Sequence, residues 1–197
     1  MTNYIKFSVL VGVLAILPLL TSCKKEIDYI GKETVIESSA KKQPKWVKNP
    51  PKKRSSYYYF VGQEDSKQFI DRYAYQRALA ELSSFLSTRA NTLYEQQGNE
   101  SNAADLTQYR SEFIQLVSQS SIRGAIRKDR YWEKIGTLKE VGVDYSYRFY
   151  VLVQIHKKDL AESEKRTIDM QIKQAENDPA IRAQLLSVRQ AILADHQ

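Results

Sequence analysis

The strongest constraint on the fold of this 197-residue chain is an unbroken alternation of side chains between residues 143 and 155. Every second residue there is valine, tyrosine, phenylalanine or isoleucine, which is the two-residue period of a β-strand with one buried face. One strand cannot bury that face alone, so neighbouring segments must supply a second strand and a covering layer. Residues 122–135 precede it across a turn that contains Gly136 and Gly142. The two segments are expected to pair as a hairpin.

A long amphipathic helix would provide the covering layer. From Phe69 to Leu93, apolar residues recur at steps of three and four, which is the spacing of one helix face. Ala74 and Ala78 lie in that face, and their small side chains predict a close approach to a flat surface such as a sheet.

A further strand is predicted just before this helix. Residues 57–62 are aromatic or β-branched and end at a glycine. Residues 63–65 are then expected to form a turn, after which Ser66 would cap the helix.

The C-terminal half of the chain predicts more helices. Residues 103–119 form one, the charged residues 160–175 form another, and Asp178 followed by Pro179 is a typical helix start. Packing of these last helices on the domain is favoured over association with a partner, which stays the alternative. The fold class is therefore α+β: a small antiparallel sheet, a long amphipathic helix packed on it, and C-terminal helices.

The N-terminus has the pattern of a lipoprotein leader. Residues 7–20 are apolar and uncharged but too short to span a bilayer, which takes about 20 residues. Leu20, Thr21 and Ser22 then precede Cys23, the single cysteine of the chain, as in a bacterial lipoprotein box. Cleavage before Cys23 and acylation of that residue, palmitate included, are the expected processing. An ordinary signal peptide or an uncleaved anchor is the alternative.

Four segments follow from this interpretation: a signal peptide (1–22), a flexible tether (23–43), an α+β domain (44–158) and a C-terminal helical extension (159–197). A tether of about 20 residues would reach roughly 70 Å when fully extended. Lys24, directly after the cysteine, resembles lipoproteins that are sent to the outer membrane. The expected location is thus the cell envelope, with the outer membrane favoured.

A basic, proline-containing stretch stands at the start of the domain. We expect Trp46 to pack as a lid within an extended lead-in, because Pro50 and Pro51 prevent a helix there. The basic side chains are a candidate surface for an anionic headgroup or glycan, although a charge run is more often simply solvated. The cluster comprises Lys45, Lys48, Lys52, Lys53 and Arg54.

No catalytic constellation stands out in the sequence. The two histidines are His156 at the end of a predicted strand and His196 next to the C-terminus. Neither accompanies a nucleophile motif or a set with metal-ligand spacing. Glu64 and Asp65 are paired carboxylates of a kind that is common in turns. We therefore expect no enzyme, no metal and no cofactor other than the covalent lipid.

The order of these segments resembles the LPP20 family of bacterial lipoproteins. The resemblance covers residues 44–158 and rests on Pro-Lys-Trp-Val with Asn49-Pro50-Pro51, on Tyr-Tyr-Phe-Val-Gly, on the helix with Ala74 and Ala78, and on the strand ending Phe-Tyr-Val-Leu-Val. It implies a small α+β domain and an envelope location, usually at the outer membrane. It implies no reaction.

These observations favour a non-catalytic envelope lipoprotein that presents an interaction surface to a protein or envelope polymer. The formal net charge of +7 could suit nucleic acid, but export argues against that partner. An accessory subunit of an assembly that crosses the periplasm or builds the cell wall is the first alternative. An envelope hydrolase is the second.

Overall fold

The computed structural model describes residues 29–51, 56–96 and 103–195. An antiparallel sheet and a set of helices confirm the predicted α+β class. Within these ranges the elements are β1 (Glu33–Ser38), α1 (Lys45–Lys48), β2 (Tyr57–Ser66), α2 (Arg72–Glu95), α3 (Ala103–Gly124), β3 (Ile126–Leu138), β4 (Val143–His156), α4 (Lys157–Gln174) and α5 (Pro179–Asp195).

The four strands lie in the order β1-β3-β4-β2, and each neighbouring pair is antiparallel. The predicted hairpin is confirmed, with β3 and β4 paired from Leu138 and Val143 outward. Its first strand begins later than expected, because residues 122–124 belong to α3. Phe113, Val117 and Ser121 continue one buried helix face at steps of four, and this face keeps the helix intact up to the sheet.

The predicted close approach of the long helix to the sheet is confirmed. Ala74 and Ala78 have no exposed surface and pack with Phe149, Val151 and Val153 of β4. At Gly62 the backbone of β2 leaves no room for a side chain beside α2, which allows the helix to lie directly on the strand. The buried side chains at this contact form the hydrophobic core between α2 and the sheet.

The turn expected at residues 63–65 is wrong, because β2 continues to Ser66 and α2 begins only at Arg72. Asp65 lies opposite Arg148 of β4, and the Arg148 Nε lies 2.8 Å from the Asp65 Oδ1. This ion pair helps to keep the polar end of β2 paired with β4. Ser66 does not cap the helix; its hydroxyl accepts a hydrogen bond from the Gln68 amide.

The flexible tether expected over residues 23–43 is wrong for part of its length. Residues Glu33–Ser38 form β1, which pairs with β3. The β-branched run Thr34, Val35 and Ile36 favours a strand, but its partners lie about a hundred residues away, so no local pattern reveals the pairing. Residues 23–28 lie outside the described part of the chain.

The C-terminal helices pack on the domain, the favoured one of the two arrangements left open by the sequence. The second half of α2 joins α3, α4 and α5 in a second core that includes Leu86, Phe113 and Ile168. Asp178 caps α5 as expected, since its Oδ1 accepts hydrogen bonds from the amides of Ala180 and Ile181 at 3.0 Å. The extension is therefore built into the same folded unit.

Candidate functional site

The two ends of the sheet differ in structure. At one end, which we call the hairpin end, residues 139–142 join β3 to β4 and β1 begins. At the other, which we call the helical end, Tyr57 of β2 pairs with His156 of β4, and α2 continues past the strands toward α4 and α5. The 14 residues of β4 separate these ends by about 45 Å.

Two adjoining cavities of about 630 and 500 Å³ open at the helical end and share Asp195. The larger lies between α2 and α5 and includes Phe85, Arg89 and Ala191 in its walls. The smaller lies where β2 and β4 meet α4, and its walls include Ser56, Tyr58, His156, Lys157 and Lys158. We call the two together the helical-end cleft. Ligand sites in proteins are commonly concave, mostly apolar and marked by a few polar groups, and the larger cavity has this character, whereas the walls of the smaller are mostly polar.

An ion-pair network forms the floor between the two cavities. The Arg89 Nε lies 2.7 Å from Glu164 Oε1, and Arg89 also binds Asp195 at the end of α5. The Glu164 side chain is 1% exposed and that of Arg89 is 13% exposed. Burial acts to lower the pKa of Arg89, but the hydrogen bonds to Glu164 and Asp195 outweigh it and raise that pKa. The guanidinium therefore stays charged and ties three helices together.

Aromatic and cationic groups lie side by side in the smaller cavity. The Tyr58 ring packs against Phe85 with 5.0 Å between centroids, and the Lys157 Nζ lies 5.3 Å from the Tyr58 centroid. Burial raises the pKa of the Tyr58 phenol. A neutral phenol, an ammonium and an apolar wall suit a ligand with an acidic group beside an apolar side chain.

His156 has a structural role in this cleft. Its Nδ1 accepts a hydrogen bond from the Lys158 amide at 3.1 Å, which caps the N-terminus of α4. Its ring packs edge-on against Tyr57 with centroids 4.8 Å apart. An Nδ1 lone pair that is used in a cap cannot accept a proton from a substrate unless the cap breaks.

The paired carboxylates Glu64 and Asp65 lie toward the hairpin end, not in the cleft. Glu64 accepts a hydrogen bond from Arg77 at 3.0 Å, and Asp65 binds Arg148. Both carboxylates thus have cationic partners within the fold. His196 lies outside the described residues.

The basic cluster predicted from the sequence is only partly placed. Lys45 and Lys48 are exposed on the single turn of α1, which replaces the expected extended lead-in. Trp46 is half-buried there, and its Nε1 donates to Asp129 Oδ2 of β3 at 2.8 Å, while α1 also contacts β4. Lys52, Lys53 and Arg54 lie outside the described residues, as does Cys23.

Sequence reasoning missed the network of Arg89, Glu164 and Asp195, whose members are up to 106 positions apart. A signal was present in the helix pattern. Glu164 stands between Leu160 and Ile168 at steps of four, so a carboxylate occupies the apolar stripe of α4. A charge in such a stripe indicates a buried partner on another element.

Among the described residues, no group of three or more His, Cys, Asp or Glu side chains is placed to hold a metal ion. Within the same part of the chain, no helix combines the length and apolar character needed to cross a bilayer. Comparison of the whole chain with protein-family models, curated proteins and solved structures finds no match.

Proposed function

We propose that this chain is a lipid-anchored lipoprotein of the cell envelope that presents the helical-end cleft as a non-catalytic interaction surface. The lipoprotein box ending at Cys23 supports the anchor. The observation that carries the proposal is that the described chain begins at one end of the sheet and the cleft lies at the other. The described chain begins at Tyr29 beside the hairpin end, since the Gly31 amide donates to the Leu138 carbonyl, and the cleft opens at the opposite end of the sheet. An anchor at the first end leaves the second end free for a partner.

The chemistry of the cleft suggests the kind of partner. Phe85 and Ala191 offer apolar contact, and Lys157 and Lys158 bring positive charge to the smaller cavity, where Lys158 also lies 3.9 Å from Glu162. A segment of protein or envelope polymer that combines apolar and acidic groups fits such a surface. Lys24 supports the outer membrane as its location, and nucleic acid is not among the proposed partners. No cofactor is proposed beyond the lipid on Cys23.

Kinship with the LPP20 family is part of the same proposal. It rests on the order of the sequence segments from Pro44 onward and on the α+β arrangement that this resemblance implies. The basic cluster of Lys45, Lys48, Lys52, Lys53 and Arg54 is proposed as a secondary contact for anionic groups, supported by the exposure of its first two members.

The anchor is tested by mass spectrometry of the mature N-terminus together with membrane fractionation of wild type and Cys23→Ala. We expect an acylated Cys23 in the membrane fraction and a soluble or unprocessed variant. A mature protein without acyl groups would contradict the anchor.

The interaction surface is tested by placing a photo-crosslinking amino acid at Ala194, which lines the cleft, and separately at Ala183 on the same helix as a matched control. Both positions are exposed, so both variants should fold. A discrete crosslinked partner from position 194 and not from 183 supports the cleft. Equal or absent crosslinking from both positions contradicts it.

Two alternatives are distinguished by the same experiments. A stable partner recovered in fixed stoichiometry would favour an accessory subunit of an envelope-spanning or cell-wall assembly. An envelope hydrolase that uses His156 would require turnover that is lost in His156→Ala and also in His156→Asn, because asparagine can keep the cap but cannot exchange a proton. The use of the His156 Nδ1 in the helix cap disfavours this second alternative.

A further inference from the structure

The three most exposed large apolar side chains among the described residues lie at the hairpin end. Val141 at the tip of the turn is 94% exposed, and Tyr29 and Ile30 beside it are 64% and 62% exposed. Ile36, Val143 and Tyr145 of the adjoining strands are also exposed. Large apolar side chains scattered singly over a surface are ordinary, but a group of this size at one end of a fold indicates a contact surface.

The end that carries these side chains projects from the rest of the sheet. The last residue of β2, Ser66, pairs with Tyr147, so residues 143–146 of β4 extend past the paired part of β2, and on that side Lys67 binds Asp144. The turn is fixed by the hydrogen bond from the Lys139 amide to the Gly142 carbonyl and by the positive φ of Gly142. This turn thus holds Val141 away from the core.

The tyrosines and lysines at this end suit a lipid–water interface, and the exposed Glu140 and Asp144 lie among them. The Lys134 Nζ lies 5.0 Å from the centroid of Tyr145, the Lys32 Nζ lies 5.7 Å from that of Tyr29, and Lys139 is exposed in the turn. Tyrosines with an apolar ring and a polar hydroxyl, flanked by lysines, are typical of residues at the level of lipid headgroups. Aliphatic tips beyond them can enter the acyl region.

The short stretch of chain between Cys23 and Tyr29 limits how far the hairpin end can lie from an anchored membrane. Five residues lie between Cys23 and Tyr29, and six steps of at most about 3.6 Å in a fully extended chain span about 20 Å. The reach of roughly 70 Å expected from the sequence is lost, because β1 takes up residues 33–38. An acylated Cys23 would therefore hold the hairpin end within about 20 Å of the bilayer.

We infer that the hairpin end is a bilayer-contacting surface, with Val141, Ile30 and Tyr29 at the level of the headgroups and upper acyl chains of the membrane that holds the anchor. This inference rests on the proposed lipid anchor. It adds that the domain lies against the membrane in a fixed orientation, with the helical-end cleft directed away from it.

The test uses the mature protein, purified from membranes and reconstituted in vesicles of phosphatidylethanolamine and phosphatidylglycerol. Val141→Cys is labelled with an environment-sensitive fluorophore, and Arg182→Cys at the exposed start of α5 is the matched control. We expect a blue-shifted emission that quencher-bearing lipids reduce at position 141, and an aqueous emission at position 182. Aqueous emission at both positions in vesicle-bound protein would overturn the inference.

A second variant separates insertion of the tip from simple proximity. Ile30→Asp in the labelled Val141→Cys protein should shift the emission back toward that in water, whereas Leu186→Asp, at an exposed site on α5, should leave it unchanged. An unchanged emission in Ile30→Asp would contradict insertion.

Labelling stoichiometry distinguishes this inference from the anchor on which it rests. An acylated Cys23 has no free thiol, so each labelled variant takes one fluorophore; a second fluorophore would contradict the anchor. In that case flotation of the unlabelled protein with the same vesicles decides the hairpin contact: flotation that is lost in Ile30→Asp supports it, and no flotation overturns it.

Discussion

The backbone of Gly62 in β2 lies so close to Ala74 in α2 that a methyl group on Gly62 would fall 1.9 Å from the Ala74 carbonyl oxygen. The same methyl group would lie 2.3 Å from the Ala78 amide nitrogen. Both atoms belong to the helix backbone, which cannot rotate away as a side chain would. Contact between α2 and the sheet thus depends on a glycine in the strand and on alanines in the helix.

This contact predicts a large effect of Gly62→Ala. The helix must move off the strand, and overpacking of this kind costs about 3 kcal/mol of the free energy of unfolding. Urea denaturation measures the change. Gly124→Ala at the end of α3 is the matched control, because a methyl group there meets nothing within 4 Å; that variant should be neutral or slightly more stable. Equal stability of the two variants would contradict the packing.

The buried ion pair between Arg89 and Glu164 predicts that removal of Arg89 lowers the stability of the fold. Arg89→Met removes the cation that lies 2.7 Å from the nearly unexposed Glu164 carboxylate, and breaking a buried ion pair in this way costs about 3–5 kcal/mol. The control is Arg77→Met, which removes an ion pair whose arginine is 66% exposed and which should cost less than about 1 kcal/mol. Thermal and urea denaturation compare the two. A cost of Arg89→Met as small as that of Arg77→Met would show that Glu164 is solvated.

Alkaline pH should destabilise the fold through Tyr94. Burial raises the pKa of this phenol above its ordinary value of 10.0, so the folded state favours the protonated form. Stability from this group is complete below pH 10 and falls as pH rises further, by up to about 1.4 kcal/mol per pH unit. We expect a shallower decline above pH 10 in Tyr94→Phe than in wild type. Parallel curves for the two proteins would exclude Tyr94 as the cause.

Tyr94→Phe should also lower the free energy of unfolding at neutral pH, for a separate reason. The Tyr94 hydroxyl donates to Gln171 Oε1 at 2.6 Å, and the Gln171 Nε2 donates to the Tyr109 carbonyl at 2.7 Å. Because Gln171 is fully buried, loss of the hydroxyl leaves its oxygen unpaired, at a cost of about 1–3 kcal/mol. In the double variant Tyr94→Phe with Gln171→Met, part of this stability should return. No recovery would indicate that packing, not the hydrogen bond, sets the cost.

The strand assignment of residues 33–38 is tested by truncation of the mature chain. Removal of residues 23–31 should leave the melting temperature nearly unchanged. Removal of residues 23–38 uncovers the edge of β3 beside the buried Ile135 and should cost about 2 kcal/mol or more, since several ladder hydrogen bonds are lost. Equal melting temperatures of the two truncated proteins would contradict the strand and support the flexible tether that the sequence predicted.

The main elements could be predicted because their signals are local. The alternation through β4 and the helical period of α2 each extend over many residues, so one face of each is apolar wherever it packs. Ala74 and Ala78 even indicated the close contact with the sheet. The errors fell where a local signal was short or polar: β1, the last residues of β2 and the junction of α3 with β3.

The sequence by itself determined the fold class, the order of the main strands and helices, and the lipoprotein box at Cys23 as a hypothesis. Only the tertiary structure decided that Glu33–Ser38 joins the sheet, that Arg89 meets Glu164 and Asp195, and that the exposed Val141, Tyr29 and Ile30 lie at the end of the sheet opposite the cavities. The physical reason is range. Periodicity depends on neighbours within a turn or a pleat, whereas strand partners, buried ion pairs and surface polarity depend on residues that the folded chain brings together from positions far apart.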